Sequence, residues 1–321
     1  MKQKIILILA LMLLLALVAF MVKDFFFSKT DSTNPFEFGM ENVRSRDTAM
    51  PAFTETGQLK PTLEEIHGLA ANPSGKIYVS GKDGVEIFDP SGKTEKKLKI
   101  AGTAQCIAVD EKGNLLLGMK DHVEIWNDDG VQLSKWSPSG PDAFITSIAA
   151  KGTDIFVADA GQKVVLRYGL QGNLINKIGL KDPATGVPGF IIPSPYFDLA
   201  ISKDGFLWVV NPGRHSFEKY NFDGTLVSSW GKASMAMEGF CGCCNPSNFA
   251  FIQDSLFVTS EKAIERVKIY NPDGSFRCIV ATPAQFEEGT KGIDLAVDKH
   301  NRILVLDPVK KLIRIFEPKK I

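Results

Sequence analysis

The chain has 321 residues, 44% apolar and 23% charged, a globular composition sufficient for one large domain or two ordinary ones. Lys plus Arg and Asp plus Glu both number 37; setting aside Lys2 and Lys4 leaves 35 basic against 37 acidic residues, a balance of −2. No basic surplus exists to displace counterions from nucleic acid, so nucleic acid is not among the expected partners.

In chain order, residues 5–22 come first, an unbroken apolar run of 18. That reaches the lower limit for a helix crossing a bilayer, roughly 17–25 residues. Lys2 and Lys4 precede it and a charge-balanced flank follows, which places the N-terminus in the cytoplasm and the rest outside. A cleaved signal peptide is the alternative, but Leu17 and Ala19 make a poor small-x-small site, and no cysteine follows the run for a lipid-modified cut. The expected organisation is a signal anchor over 1–23, a tether over 24–52 rich in Ser, Thr, Asn and Pro, and a folded domain over 53–321. The expected location is the cell membrane, single-pass, with the domain on the extracytoplasmic side.

From residue 53 the chain repeats. An aromatic residue stands four places before a turn glycine as Phe53/Gly57, Phe88/Gly92, Trp126/Gly130, Tyr168/Gly172, Tyr220/Gly224 and Tyr270/Gly274. Glycine there suits the positive φ of tight hairpins. A second mark is an apolar residue followed by alanine, at Ala70, Ala108, Ala149, Ala200, Ala250 and Ala296, spaced by 38 to 51 residues. After each alanine come a polar turn, a β-rich run, and a further run ending on the aromatic. Six copies of a four-stranded unit predict an all-β, six-bladed β-propeller, preceded by one N-terminal transmembrane helix. The sixth copy lacks a turn glycine and a fourth strand, so residues 57–62 are expected to supply the missing outer strand. Pro61 is tolerable on such an edge.

The stretches VVLRYGLQGNLINKIG, RVKIYNPDGSF and GIDLAVDKHNRILVLDPVKKLIRIFE carry a resemblance to the NHL-repeat family of six-bladed propellers. It covers about residues 53–318. It implies the fold; that family includes enzymes, ligand sensors and protein-binding modules, so it does not fix the activity. NHL-like peptide-amidating lyases use a multi-histidine zinc site at the axis, and only His67 lies near the corresponding region here.

Long loops lead into blades four, five and six, over residues 181–196, 231–244 and 281–291. The face they share is the expected binding face for an unidentified protein or small ligand. Two places before each repeat alanine stand Gly68, Cys106, Ser147, Asp198, Asn248 and Asp294, a polar ring expected near the axis. Asp198, Asn248, Asp294 and Cys106 are therefore candidate binding residues, against the plainer reading that they cap strands or hold water. His215 sits in a turn on the loop-rich face.

Cys241, Cys243 and Cys244 fall within four positions of the loop leading into blade five, after Met235 and Met237. Three readings stay open. One is a loop-pinning disulfide, within the loop or to Cys106. Another is a soft-ligand site for copper or an iron–sulfur cluster, with Cys241, Cys243 and Cys244 as ligands. The third is a strained, redox-active thiol pair. Cys278 reads as an inert buried thiol. No nucleophile-elbow, phosphate-loop or HExxH motif is present, so an enzyme is the less expected outcome. The sequence thus predicts a membrane-anchored binding module, with a redox or metal protein built on the cysteine loop as the alternative.

Overall fold

The computed structural model describes residues 2–27, 51–242, 244–262 and 264–319. The chain divides into two units, Met1–Val43 and Arg44–Ile321. In the first, α1 (Lys2–Phe27) is helical through the apolar run. The expected transmembrane helix is nevertheless corrected. Among the described residues no helix is long and apolar enough to cross a membrane. The membrane as partner, the single-pass cell-membrane location and the membrane-anchored binding module fall with it. Most of the expected tether lies outside the described residues.

Among the described residues the second unit holds 23 strands arranged in six sheets. β1 (Phe53–Leu59) comes first and stands apart from its sequence neighbours. Blade one is β2 (Ile66–Ala71), β3 (Ile77–Phe88) and β4 (Thr94–Thr103). Its two middle strands run together as the single bent β3, where two separate runs were expected. The bend passes through Asp83, which has φ +58°. Blade two is β5 (Cys106–Val109), β6 (Leu115–Gly118), β7 (Val123–Trp126) and β8 (Gln132–Lys135). Blade three is β9 (Ile145–Lys151), β10 (Asp154–Asp159), β11 (Val164–Gly169) and β12 (Leu174–Ile178). Blade four is β13 (Leu199–Ile201), β14 (Leu207–Asn211), β15 (Ser216–Tyr220) and β16 (Leu226–Gly231). Blade five is β17 (Asn248–Ile252), β18 (Leu256–Ser260), β19 (Val267–Tyr270) and β20 (Phe276–Ala281). Blade six is β21 (Leu295–Val297), β22 (Ile303–Asp307) and β23 (Leu312–Pro318), completed by β1.

All pairings within blades are antiparallel, and β1 pairs with β23 from Phe53↔Pro318 to Leu59↔Ile313. The ring thus closes with the start of the domain, as the missing sixth outer strand required. Gly57 differs from expectation. It lies inside β1 at a bulge between Glu55 and Gly57, because no earlier strand of blade six exists for it to turn from.

The other five turn glycines close hairpins in the same way. In each, the glycine N–H and the returning strand are tied to one turn residue, as where Gly274 N donates to Asn271 O at 2.9 Å. The glycine has a second cause besides positive φ. A Cβ on Gly172 would lie 2.7 Å from Trp136, and one on Gly274 would lie 2.7 Å from Trp230. Each ring belongs to the preceding blade. Leu59 meets Gly92 and Leu98 meets Gly130 likewise, so the repeat glycine is also where adjacent blades touch. Between the blades lie the apolar faces of the middle strands, with Val79, Leu117, Val157, Val209, Val258 and Val305 fully buried. At the centre the innermost strands meet neighbour to neighbour, from β2 round to β21 and back.

Candidate functional site

The positions two before each repeat alanine converge on the axis, as the spacing predicted. Their polar groups join one blade to the next. Asp198 Oδ1 accepts from Leu199 N at 2.9 Å, and Oδ2 accepts from Phe249 N of blade five at 2.7 Å. Asp294 Oδ1 accepts from Leu295 N at 2.8 Å, and Oδ2 accepts from Leu69 N of blade one at 2.7 Å. Asn248 Nδ2 donates to Asp294 Oδ1 over 3.4 Å. Ser147 Oγ bonds the Leu199 backbone at 3.3 Å. A Cβ on Gly68 would collide with the Cys106 backbone at 2.8 Å, so blades one and two approach too closely for any side chain there.

Burial, more than any neighbouring charge, pushes the carboxyl of Asp198 up to about 6, against the hydrogen bonds it accepts. Burial pushes Asp294 up to about 7, and the charge of Asp198 adds to the rise. Burial also pushes the Cys106 thiol well up, with both aspartates adding to it. Cys106 is therefore an inert thiol beside two axial acids.

Above the ring opens a cavity of about 350 Å³ to which all six blades contribute. Glu64 and Glu65 come from the segment leading into blade one, His67 from its innermost strand β2, Gln105 from the entry to blade two, and Phe144 and Thr146 from blade three. Tyr196 and Phe197 come from blade four, Asn248 from blade five, and Lys291, Asp294 and Lys311 from blade six. His67 Nε2 lies 3.3 Å from Glu65 Oε2, and both are partly exposed. Asp294 is the member of the axial acid pair that reaches this cavity. A proton donor and a proton acceptor thus share one concave, mixed polar and aromatic space.

Glu65, Tyr196, Lys291 and Lys311 are not singled out by sequence motifs. Their signal is positional. Apart from Lys311, in the β22–β23 turn, they stand two or three residues before a ring position, where the chain drops from the face into an innermost strand. Long-range convergence of six segments has no local composition to betray it.

The cysteine loop lies on the same face but does not form the expected cluster. Asn245 holds it down: its Nδ2 donates to Cys241 O at 2.6 Å and to Lys262 O at 2.9 Å, while its Oδ1 accepts from Lys262 N at 2.9 Å. His215 Nδ1 lies 3.1 Å from Asn245 O, which gives that histidine a place in the same clamp. Cys241 is within electrostatic reach of Glu261, Arg266 and Lys268, and burial raises its thiol. Cys244 accepts from Ser194 Oγ at 2.8 Å, and Ser194 in turn accepts from Lys262 Nζ at 3.0 Å. The two sulfurs thus have different neighbours. Cys106, Cys241 and Cys278 are free thiols, so none of them forms the expected disulfide. Cys243 lies outside the described residues. Among the described residues no group of three or more His, Cys, Asp or Glu could hold a metal ion. The alternative of a redox or metal protein centred on Cys241, Cys243 and Cys244 is corrected accordingly.

The fold and this axial cavity define a six-bladed propeller with a small-molecule-sized site on its axis. No protein-family model matches the chain, and no curated relative matches its sequence. Solved structures match the fold. A streptogramin B lyase superposes with a TM-score of 0.57 at 11% identity, over 83% of this chain and 98% of its own. Virginiamycin B lyase from Staphylococcus aureus gives 0.56 at 13% identity, over 84% and 89%. A catalytically inactive histidine-to-alanine variant of that lyase, with quinupristin, gives 0.53 at 13% identity, over 82% and 88%. At such identities the likeness is one of fold. It corrects the expectation against an enzyme, because the same propeller carries catalysis in these proteins.

Proposed function

We propose that this chain is an enzyme acting on a small molecule in the axial cavity, by proton transfer of the kind a lyase uses. The observation that carries this is the convergence of His67, paired with Glu65, and Asp294 on a single cavity. Glu65 orients the His67 ring, and His67 takes a proton from carbon next to an electron-withdrawing group. The electron pair left behind forms a double bond as the leaving group departs. Asp294, pushed up to about 7 by burial and by the charge of Asp198, gives its proton to that leaving group below that pH. Each such group contributes about 10²–10⁴-fold. The lyases of like fold support the reaction class, and the inactive histidine variant supports a histidine in it. The resemblance of the repeats to NHL propellers is consistent with an axial site.

The test is incubation of the purified chain with quinupristin and with simpler esters and β-substituted acids, followed by mass spectrometry. Elimination within a ring leaves the mass unchanged, whereas hydrolysis adds one water. The expected result is a mass-neutral ring opening, or paired elimination fragments, for at least one substrate class. Water-added products, or no product across the panel, would overturn this reading.

A further inference from the structure

The polar groups around the cavity differ in what they have left to bind. Its acids are engaged: Glu64 pairs with Lys82 Nζ at 2.8 Å, Glu65 with His67, and Asp294 with two backbone N–H groups. Its lysines are not. Among the described residues no hydrogen bond or ion pair engages Lys291 or Lys311 Nζ, although Lys311 is within electrostatic reach of Glu64. Deeper in, Asn248 Oδ1 is a buried acceptor with no donor, while its Nδ2 is turned to Asp294. A buried acceptor without a partner costs about 1–3 kcal/mol, which an incoming donor recovers. Two exposed ammonium groups therefore face the opening, and one unfilled acceptor sits at the axis.

Resting on the reading of this cavity as the substrate site, we infer that its occupant is a small organic anion. Its carboxylate stays at the rim with Lys291 and Lys311, and a hydroxyl or amine at its other end donates to Asn248 Oδ1. The opposite orientation would set a carboxylate, itself only an acceptor, against the acceptor Asn248 Oδ1. The volume of about 350 Å³ accommodates such a molecule with room for an apolar portion against Phe144 and Tyr196.

Calorimetry on the full chain tests this without requiring turnover. The probes are 4-hydroxybutyrate, butyrate, which lacks the hydroxyl, and 1,4-butanediol, which lacks the charge. The expected order is 4-hydroxybutyrate tighter than butyrate, with butanediol not bound. Lys291→Met with Lys311→Met should weaken both acids about tenfold or more, the effect of losing charge-assisted hydrogen bonds. Asn248→Leu should remove the advantage of 4-hydroxybutyrate over butyrate while leaving butyrate binding in place. Circular dichroism melting establishes that each variant is folded. Absence of acid binding, butanediol matching 4-hydroxybutyrate, or wild-type affinity in the lysine variant would overturn the anion assignment. Equal affinity for 4-hydroxybutyrate and butyrate would overturn the donor end. Acid binding without turnover of any substrate would leave this inference standing and remove the catalytic reading. Turnover of uncharged substrates without acid binding would do the reverse.

Discussion

At the residue scale, the axial acids do two things at once. Asp198 and Asp294 each tie their own strand to the innermost strand of the following blade. Their removal from water raises both, to about 6 and about 7. An aspartate in the unfolded chain titrates near 3.9. Between about pH 4 and pH 7 the folded chain therefore holds more protons than the unfolded one, and stability falls as pH rises through that window. The size is on the order of a few kcal/mol for the pair. Urea midpoints at pH 5 and pH 8 should show wild type losing stability toward pH 8, with a smaller loss in Asp294→Asn. Equal losses would mean that Asp294 is not raised. The same protonation sets the expected reaction profile. Asp294 as proton donor is active below about 7, so the rate should fall as pH rises through that value. That these two residues lie near the axis is legible in the repeat. That each grips the next blade is not, because the partner lies 51 residues away for Asp198 and 225 for Asp294.

At the element scale, the hairpin turn is the unit from which the ring is assembled. Reading glycine as a turn residue recovers only half of its cause. Gly274 has φ +84°, and Trp230 of the preceding blade occupies the place of its missing Cβ. Gly274→Ala meets both the backbone strain and the indole. It should cost about 1–3 kcal/mol, from strain together with overpacking. Gly113 also has positive φ, at +84°, but nothing lies within 4 Å of its Cβ position. Gly113→Ala should therefore cost less, and thermal melting of the two variants separates packing from backbone strain. Matching losses would show that the blade contact is unimportant. The first aromatic–glycine mark misleads for a related reason: Gly57 has the spacing but lacks a preceding strand to turn from, and becomes a bulge. The cysteine loop misleads differently. Density in sequence does not by itself make a ligand set: among the described residues no metal-holding group forms, and Asn245 fixes that loop with backbone hydrogen bonds.

At the scale of the whole molecule, fold legibility comes from repetition and site illegibility from convergence. Six copies with one missing strand predict both the blade number and the closing strand, because a ring must satisfy its last edge. Closure joins residues 53–59 to the far end of the domain, and Arg314 bonds Glu55 across that seam. Leu59, 6% exposed, packs from β1 toward Gly92 of blade one. Leu59→Ala should cost about 2–5 kcal/mol and lower the melting temperature of the domain as one cooperative transition. Loss confined to one probe, with the rest of the ring melting as before, would contradict closure as a property of the whole. The N-terminal run shows the opposite limit: composition predicts a spanning helix that does not stand among the described residues.

The central claim is that the axial cavity, and not the cysteine loop, performs chemistry. Turnover of whichever substrate the wild-type chain eliminates, compared across His67→Ala, Asp294→Asn and the cysteine-loop variant Cys241→Ser, tests it most directly. The account predicts losses of about 10²-fold or more in the first two, the range for a general acid or base, and wild-type rates in the third. Wild-type rates in both cavity variants would contradict it.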